Sequence, residues 1–374
     1  KMEKNGKVYT VPLSKLSKAD NEYIQEWKLK KDTEAKEGEG TTKTAPKRGR
    51  SGRPGSSAGL KAEYGLKDNF DAPWPKLISG DVSVDIEEDT NHGSTQQFIY
   101  RSPNYEFISD VKLSRNVVKK FATLFETTRQ YCKALPISSM KAHVPGEKFR
   151  NKILLFEKKE TYVQNGGPPS SAGVFIGGKG VVMVPLVSLG VKKVGSGYMF
   201  DYDGLNKTLP HELTHQLTDD EYFASGARGW FSEGLAEYVA NTPYRSGKFM
   251  VKSNLSAIKS YVTEFGKKGR GGRALGDNIK MSSLKQFMLQ PYSSFTGDPQ
   301  RNYGMGLLVT YYYFHWDGKK DRANINAFLK ALKEGKRGEE ALNVLLNGRS
   351  WEEMEKQISK AWRSRGVKIS WGKS

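Results

Sequence analysis

Several kinds of functional site are excluded by what this sequence has little of. One cysteine, Cys132, allows no intramolecular disulfide framework and no multi-cysteine zinc knuckle. It lies in NVVKKFATLFETTRQYCKAL, a run of helical apolar spacing in which a thiol packs into a core. With 37% hydrophobic and 27% charged residues, no apolar run approaches the roughly eighteen residues of a membrane span. The glycine-rich stretches KVGSGY and GKKGRGGRALG match neither the P-loop pattern nor the dinucleotide fingerprint, and read as basic, mobile loops. Acidic residues number 41 against 60 basic ones, a net charge of +19. That balance suits an acidic partner, whether nucleic acid, an anionic surface polymer or a membrane face, and a solvated lysine-rich face explains it equally; among functions, nucleic-acid binding ranks last.

Three regions follow from composition. Residues 1–31 hold NGKVYTVPLSKLSKADNEYIQEWKLK, which predicts a short strand, a turn and a brief helix opening near Ser17. Residues 32–60 are rich in Gly, Ser, Thr, Pro and charge, with almost nothing to bury, and read as a flexible basic linker. Its KRGRSGR run could grip phosphates, but a basic solvated tether is the favoured reading. Residues 61–374 begin with strand-like runs (DVSVDIEED, QQFIYRS, YEFISD), then the helix bearing Cys132, then NKILLFEKKETYV, an order that predicts an α+β domain. In SAGVFIGGKGVVMVPL two β-rich runs flank Gly177–Gly180, a hairpin signal. The chain after residue 250 reads as mostly helical, and Ser350 with Glu353 forms a capping box.

Histidine is scarce as well, five in 374 residues, yet two stand four apart in KTLPHELTHQLTDDEYFASGARGWFSEGLAEYV. His211 to His215 spell HExxH. On a helix, positions i and i+4 share a face, so both imidazoles reach one cation while Glu212 overhangs the open coordination site. Leu209, Leu213 and Leu217 recur every four residues as a buried face, and Pro210 sits in the first turn, where it is tolerated. Zinc with two histidines needs a third protein ligand. Seventeen residues separate His215 from Glu233, room for a turn and a second helix returning alongside, which makes Glu233 the third ligand. Glu237, four residues on, is placed to accept the outer N–H of a liganding histidine, unless it is an ordinary solvated glutamate. His92 and His143 read as lone surface histidines.

HELTH followed by WFSEGLAEY resembles the gluzincin metallopeptidases, the group of thermolysin and aminopeptidase N, and most closely the peptidase MA-like domains of exported bacterial proteins. The resemblance implies one zinc per chain on His211, His215 and Glu233, with Glu212 as general base. It implies a fold with a mixed β-sheet, an HExxH helix and a mostly helical C-terminal part. RNYGMGLLVTYYYF resembles the family's later helix, whose tyrosine bonds the oxyanion; that residue is Tyr303, with Tyr311 or His315 as the nearby substitutes, and Met305 stands where aminopeptidase N has lysine. The family binds an extended peptide on an edge strand, for which Ala172, Gly173 and Val174 are the candidates. The glutamate motif by which aminopeptidases hold a substrate's amino terminus is missing, which favours an endopeptidase. Residues 6–24 resemble the closing half of a Sla-type homology domain, a small β module, and both resemblances imply export in a bacterium. The expected function is a zinc-dependent peptidase acting on a peptide or protein; the alternative is an inactive scaffold of the same fold that binds an acidic polymer or protein partner.

Overall fold

The computed structural model describes residues 2–4, 7–9, 56–81, 83–89, 97–205, 208–223, 226–264, 272–318 and 322–372. The chain divides into two compact units, 1–51 and 52–374. In the first, β1 (Met2–Lys4) pairs antiparallel with β2 (Lys7–Tyr9). The helix expected near Ser17 and most of the expected linker lie outside the described residues.

The second unit is α+β. It opens with α1 (Ser57–Tyr64), capped by the Ser56 side chain, so helix begins inside the 32–60 stretch. Ser57 donates through its N–H and its hydroxyl to Glu221 Oε1, at 3.2 and 2.9 Å. A short strand, β3 (Ile78–Ser79), precedes the main sheet. That sheet contains β4 (Glu87–Asp89), β5 (Phe98–Arg101), β6 (Tyr105–Ser109), β7 (Asn151–Phe156), β8 (Val174–Ile176) and β9 (Val181–Pro185), in the order β4-β5-β6-β7-β9-β8. The pairs β6–β7 and β7–β9 are parallel and the others antiparallel, so the sheet is mixed. Parallel neighbours need a crossover. Between β6 and β7 it is α2 (Arg115–Ala134), which starts on the Ser114 cap and buries Val118, Phe121 and Phe125. NKILLFEKKETYV divides into β7 and the short α3 (Lys159–Gln164).

The hairpin flanking Gly177–Gly180 is present as β8 and β9. KVGSGY, read as a mobile loop, instead forms the tip of a second hairpin, β10 (Leu189–Val194) with β11 (Gly197–Leu205). Val191 and Phe200, paired across it, are buried, and Gly195 turns the chain at φ +60°. The polar tip of lysine, glycine and serine hides the pairing in the sequence, and apolar Val194 and Met199 beside it are exposed.

Two helices then carry the site: α4 (Thr208–Leu217) and α5 (Gly229–Ala240). All 12 residues of α5 are buried, as expected of a helix enclosed on every side. After the small strands β12 (Tyr244–Arg245) and β13 (Lys248–Phe249) the chain is mainly helical: α6 (Asn254–Thr263), α7 (Leu284–Leu289), α8 (Tyr292–Gly297), α9 (Pro299–His315), α10 (Ala323–Lys333), α11 (Gly338–Leu346) and α12 (Trp351–Arg363). β14 (Asn278–Met281) pairs in parallel with the terminal β15 (Lys368–Trp371). The capping box of Ser350 and Glu353 forms at the start of α12. None of the described helices is long and apolar enough to cross a membrane.

α9 packs along α5 at very short range. A Cβ on Gly234 would lie 2.3 Å from Thr310 Oγ1 and 2.5 Å from the Gly306 carbonyl oxygen. Glycine after Glu233 therefore lets the two backbones approach.

Candidate metal centre

α4 is held with its apolar side inward: Leu209, Leu213 and Leu217 are fully buried. Gln216 donates to the carbonyls of Lys152 (3.2 Å) and Gly180 (3.0 Å), tying the helix to the sheet at β7 and at the start of β9. Behind it, Cys132 Sγ lies 3.8 Å from Thr214 Oγ1, and burial pushes its thiol up to about 12, so it is a packed, protonated core residue.

His211, His215 and Glu233 converge on one point. His211 Nε2 is 3.1 Å from Glu233 Oε2, His215 Nε2 is 3.2 Å from the same oxygen, and the two Nε2 atoms are 3.1 Å apart. All three residues are buried, and together they form a group able to hold a metal ion. Burial alone would keep His211 neutral, but its hydrogen bond to Glu233 and the charge of Glu237 raise its pKa to about 9. Burial likewise opposes a charge on Glu233, yet the two histidines hold its carboxyl well below the usual range. The site thus favours a positive charge between its donors, which a proton or a metal ion supplies.

Around the donors lies a second set of contacts. Glu237 Oε1 is 3.5 Å from His211 Nδ1 and pairs with Arg273 Nη2, while its Oε2 accepts from Asn241 at 2.9 Å. Glu237 is thus buried and engaged, not solvated. The Arg273 guanidinium lies 4.9 Å over the Tyr303 ring, and that ring is nearly parallel to His211, with centroids 6.0 Å apart. Burial and the charge of Glu233 raise the Tyr303 pKa. Phe223 packs on His215 at 5.6 Å and on Phe175 at 6.1 Å. Tyr292 donates its hydroxyl to Glu233 Oε1 at 2.7 Å.

Glu212 projects toward the sheet edge. Among the described residues β8 pairs only with β9, and Phe175 donates its N–H to Glu212 Oε2 at 2.7 Å. Burial raises the Glu212 pKa, against the pull of His211 and His215. A Cβ on Gly173 would stand 3.8 Å from Glu212 Cγ, which places Gly173 beside Glu212, while Ala172 precedes β8 and Val174 opens it.

Other histidines lie apart from this group. His143 bonds the Ser139 carbonyl oxygen at 2.8 Å. His315 contacts Tyr238 Oη at 3.0 Å and packs against Tyr311 with ring centroids 4.3 Å apart, and burial lowers its pKa to about 3. His92 lies outside the described residues. Arg273, Tyr292 and Phe223 escaped the sequence reading. Arg273 is masked by a glycine-rich basic run, and Tyr292 in QPYSSF belongs to no motif.

The class that fold and site define is an α+β protein with a buried His/His/Glu group fit for a metal ion. No protein-family model and no curated protein matches the chain.

Proposed function

We propose that the chain is a zinc-dependent peptidase of gluzincin type that cleaves within peptide chains. The observation that carries this reading is the triangle of Nε2, Nε2 and Oε2 atoms, 3.1 to 3.2 Å on a side, with Glu212 one position from the first histidine. Three ligands about 2.0–2.1 Å from a tetrahedral zinc stand about 3.3 Å apart, so two imidazoles and one carboxylate in this arrangement suit that ion. When bound, zinc supplies Lewis acidity, which polarises a carbonyl and makes water acidic near neutral pH.

The chain's own residues supply the remaining requirements. The open edge of β8 suits an extended peptide paired by main-chain hydrogen bonds, which brings its backbone alongside Glu212. Glu212, partly buried and within reach of that edge, accepts the proton released by the attacking water and passes it to the leaving amine. Glu237 and Arg273 fix the His211 ring from behind. The Tyr303 hydroxyl is the donor assigned to the oxyanion.

The test pairs metal analysis of the purified protein with a chelator-sensitive assay on a mixed peptide library. One zinc per chain and chelator-sensitive cleavage are expected. Glu212→Gln should retain zinc and lose at least about a hundredfold in turnover. Metal without hydrolysis would favour the binding scaffold instead.

A further inference from the structure

Resting on the zinc-peptidase reading, a further role emerges for a residue outside every motif. We propose that Tyr292 is a positioning residue for Glu233: its hydroxyl occupies Oε1, so that the carboxylate meets the metal through Oε2 alone.

The two oxygens of Glu233 have separate partners. Oε2 faces both imidazoles, at 3.1 and 3.2 Å, whereas Oε1 accepts from Tyr292 at 2.7 Å, its one hydrogen-bond donor among the described residues. A carboxylate with both oxygens free can chelate a metal and fill the position that substrate and water need. Engaging Oε1 keeps that position open.

The fold places Tyr292 there deliberately in the physical sense that packing fixes it. It opens α8, and Phe295, one turn on and fully buried, rests against α5 where that helix starts. A Cβ on Gly229 would lie 2.6 Å from the Phe295 ring, so glycine at that position admits the phenylalanine. Phe295 also packs on Tyr303 at 5.6 Å and Phe287 at 5.9 Å. Tyr292 itself is 42% exposed, so its ring contributes little to the core and its hydroxyl is the part that matters.

The experiment uses the full chain and its Tyr292→Phe variant, with zinc affinity read by competition against a chromogenic chelator. Cobalt(II) substitution gives a second readout, because four-coordinate cobalt absorbs visible light far more strongly than five-coordinate cobalt. The variant should bind zinc about ten- to a hundredfold more weakly and show a weakened cobalt spectrum. Ser293→Ala, an exposed neighbour on the same helix, should change neither. A wild-type cobalt spectrum in Tyr292→Phe would overturn the proposal whatever the zinc affinity, because Glu233 would then bind through one oxygen without the hydroxyl. If the unmodified chain takes up neither metal, the zinc reading itself falls, an outcome visible before any variant is made.

Discussion

Tyr303 carries a hydroxyl beside the metal group and a ring that stacks on His211 and under Arg273. Tyr303→Phe removes the first and keeps the second. If the hydroxyl bonds the oxyanion only as it forms, turnover should fall roughly a hundredfold while the Michaelis constant barely moves. Steady-state kinetics on one peptide decides this; unchanged turnover would leave Tyr303 as packing. The donors themselves were legible in the sequence because their logic is local: i and i+4 share a helix face, and Glu233 follows within one turn and one helix. Arg273 and Tyr292 were not, because each reaches the site through tertiary packing over chain distances that no periodicity records.

At the scale of elements, the contact between α5 and α9 sets how precisely Glu233 is delivered. Gly234→Ala would force a Cβ to within 2.3 Å of Thr310 Oγ1, and the two helices would have to separate. A loss of about 1–3 kcal/mol is expected in denaturant titration, with weaker metal binding because Glu233 moves with the helix. The β8–β9 hairpin was readable from turn chemistry. β10–β11 was not, since lysine, glycine and serine dominate its tip, and β14–β15 pairs segments at opposite ends of the helical region.

For the molecule as a whole, the boundary of the second unit is a practical question. The sequence places it after residue 60, yet Ser56 caps α1 and Ser57 bonds Glu221. A chain starting at Ser56 should keep the metal content and melting temperature of the intact second unit. One starting at residue 61 should melt several degrees lower, by differential scanning calorimetry, having lost the first half of α1 and its tie to the turn after α4.

His211 and His215 lie on one helix and Glu233 on another, both in the core, so an ion joining them is bound by the folded chain and scarcely by the unfolded one. If zinc is that ion, its supply enters the folding equilibrium itself: free zinc at a hundred times its dissociation constant would add about 2.7 kcal/mol to stability. Thermal melts with and without chelator should differ for the wild type and coincide for His211→Ala. On the proposed zinc reading, surroundings depleted of that metal would leave the same chain closer to unfolding and to proteolysis, and its lifetime would gauge the metal available to it.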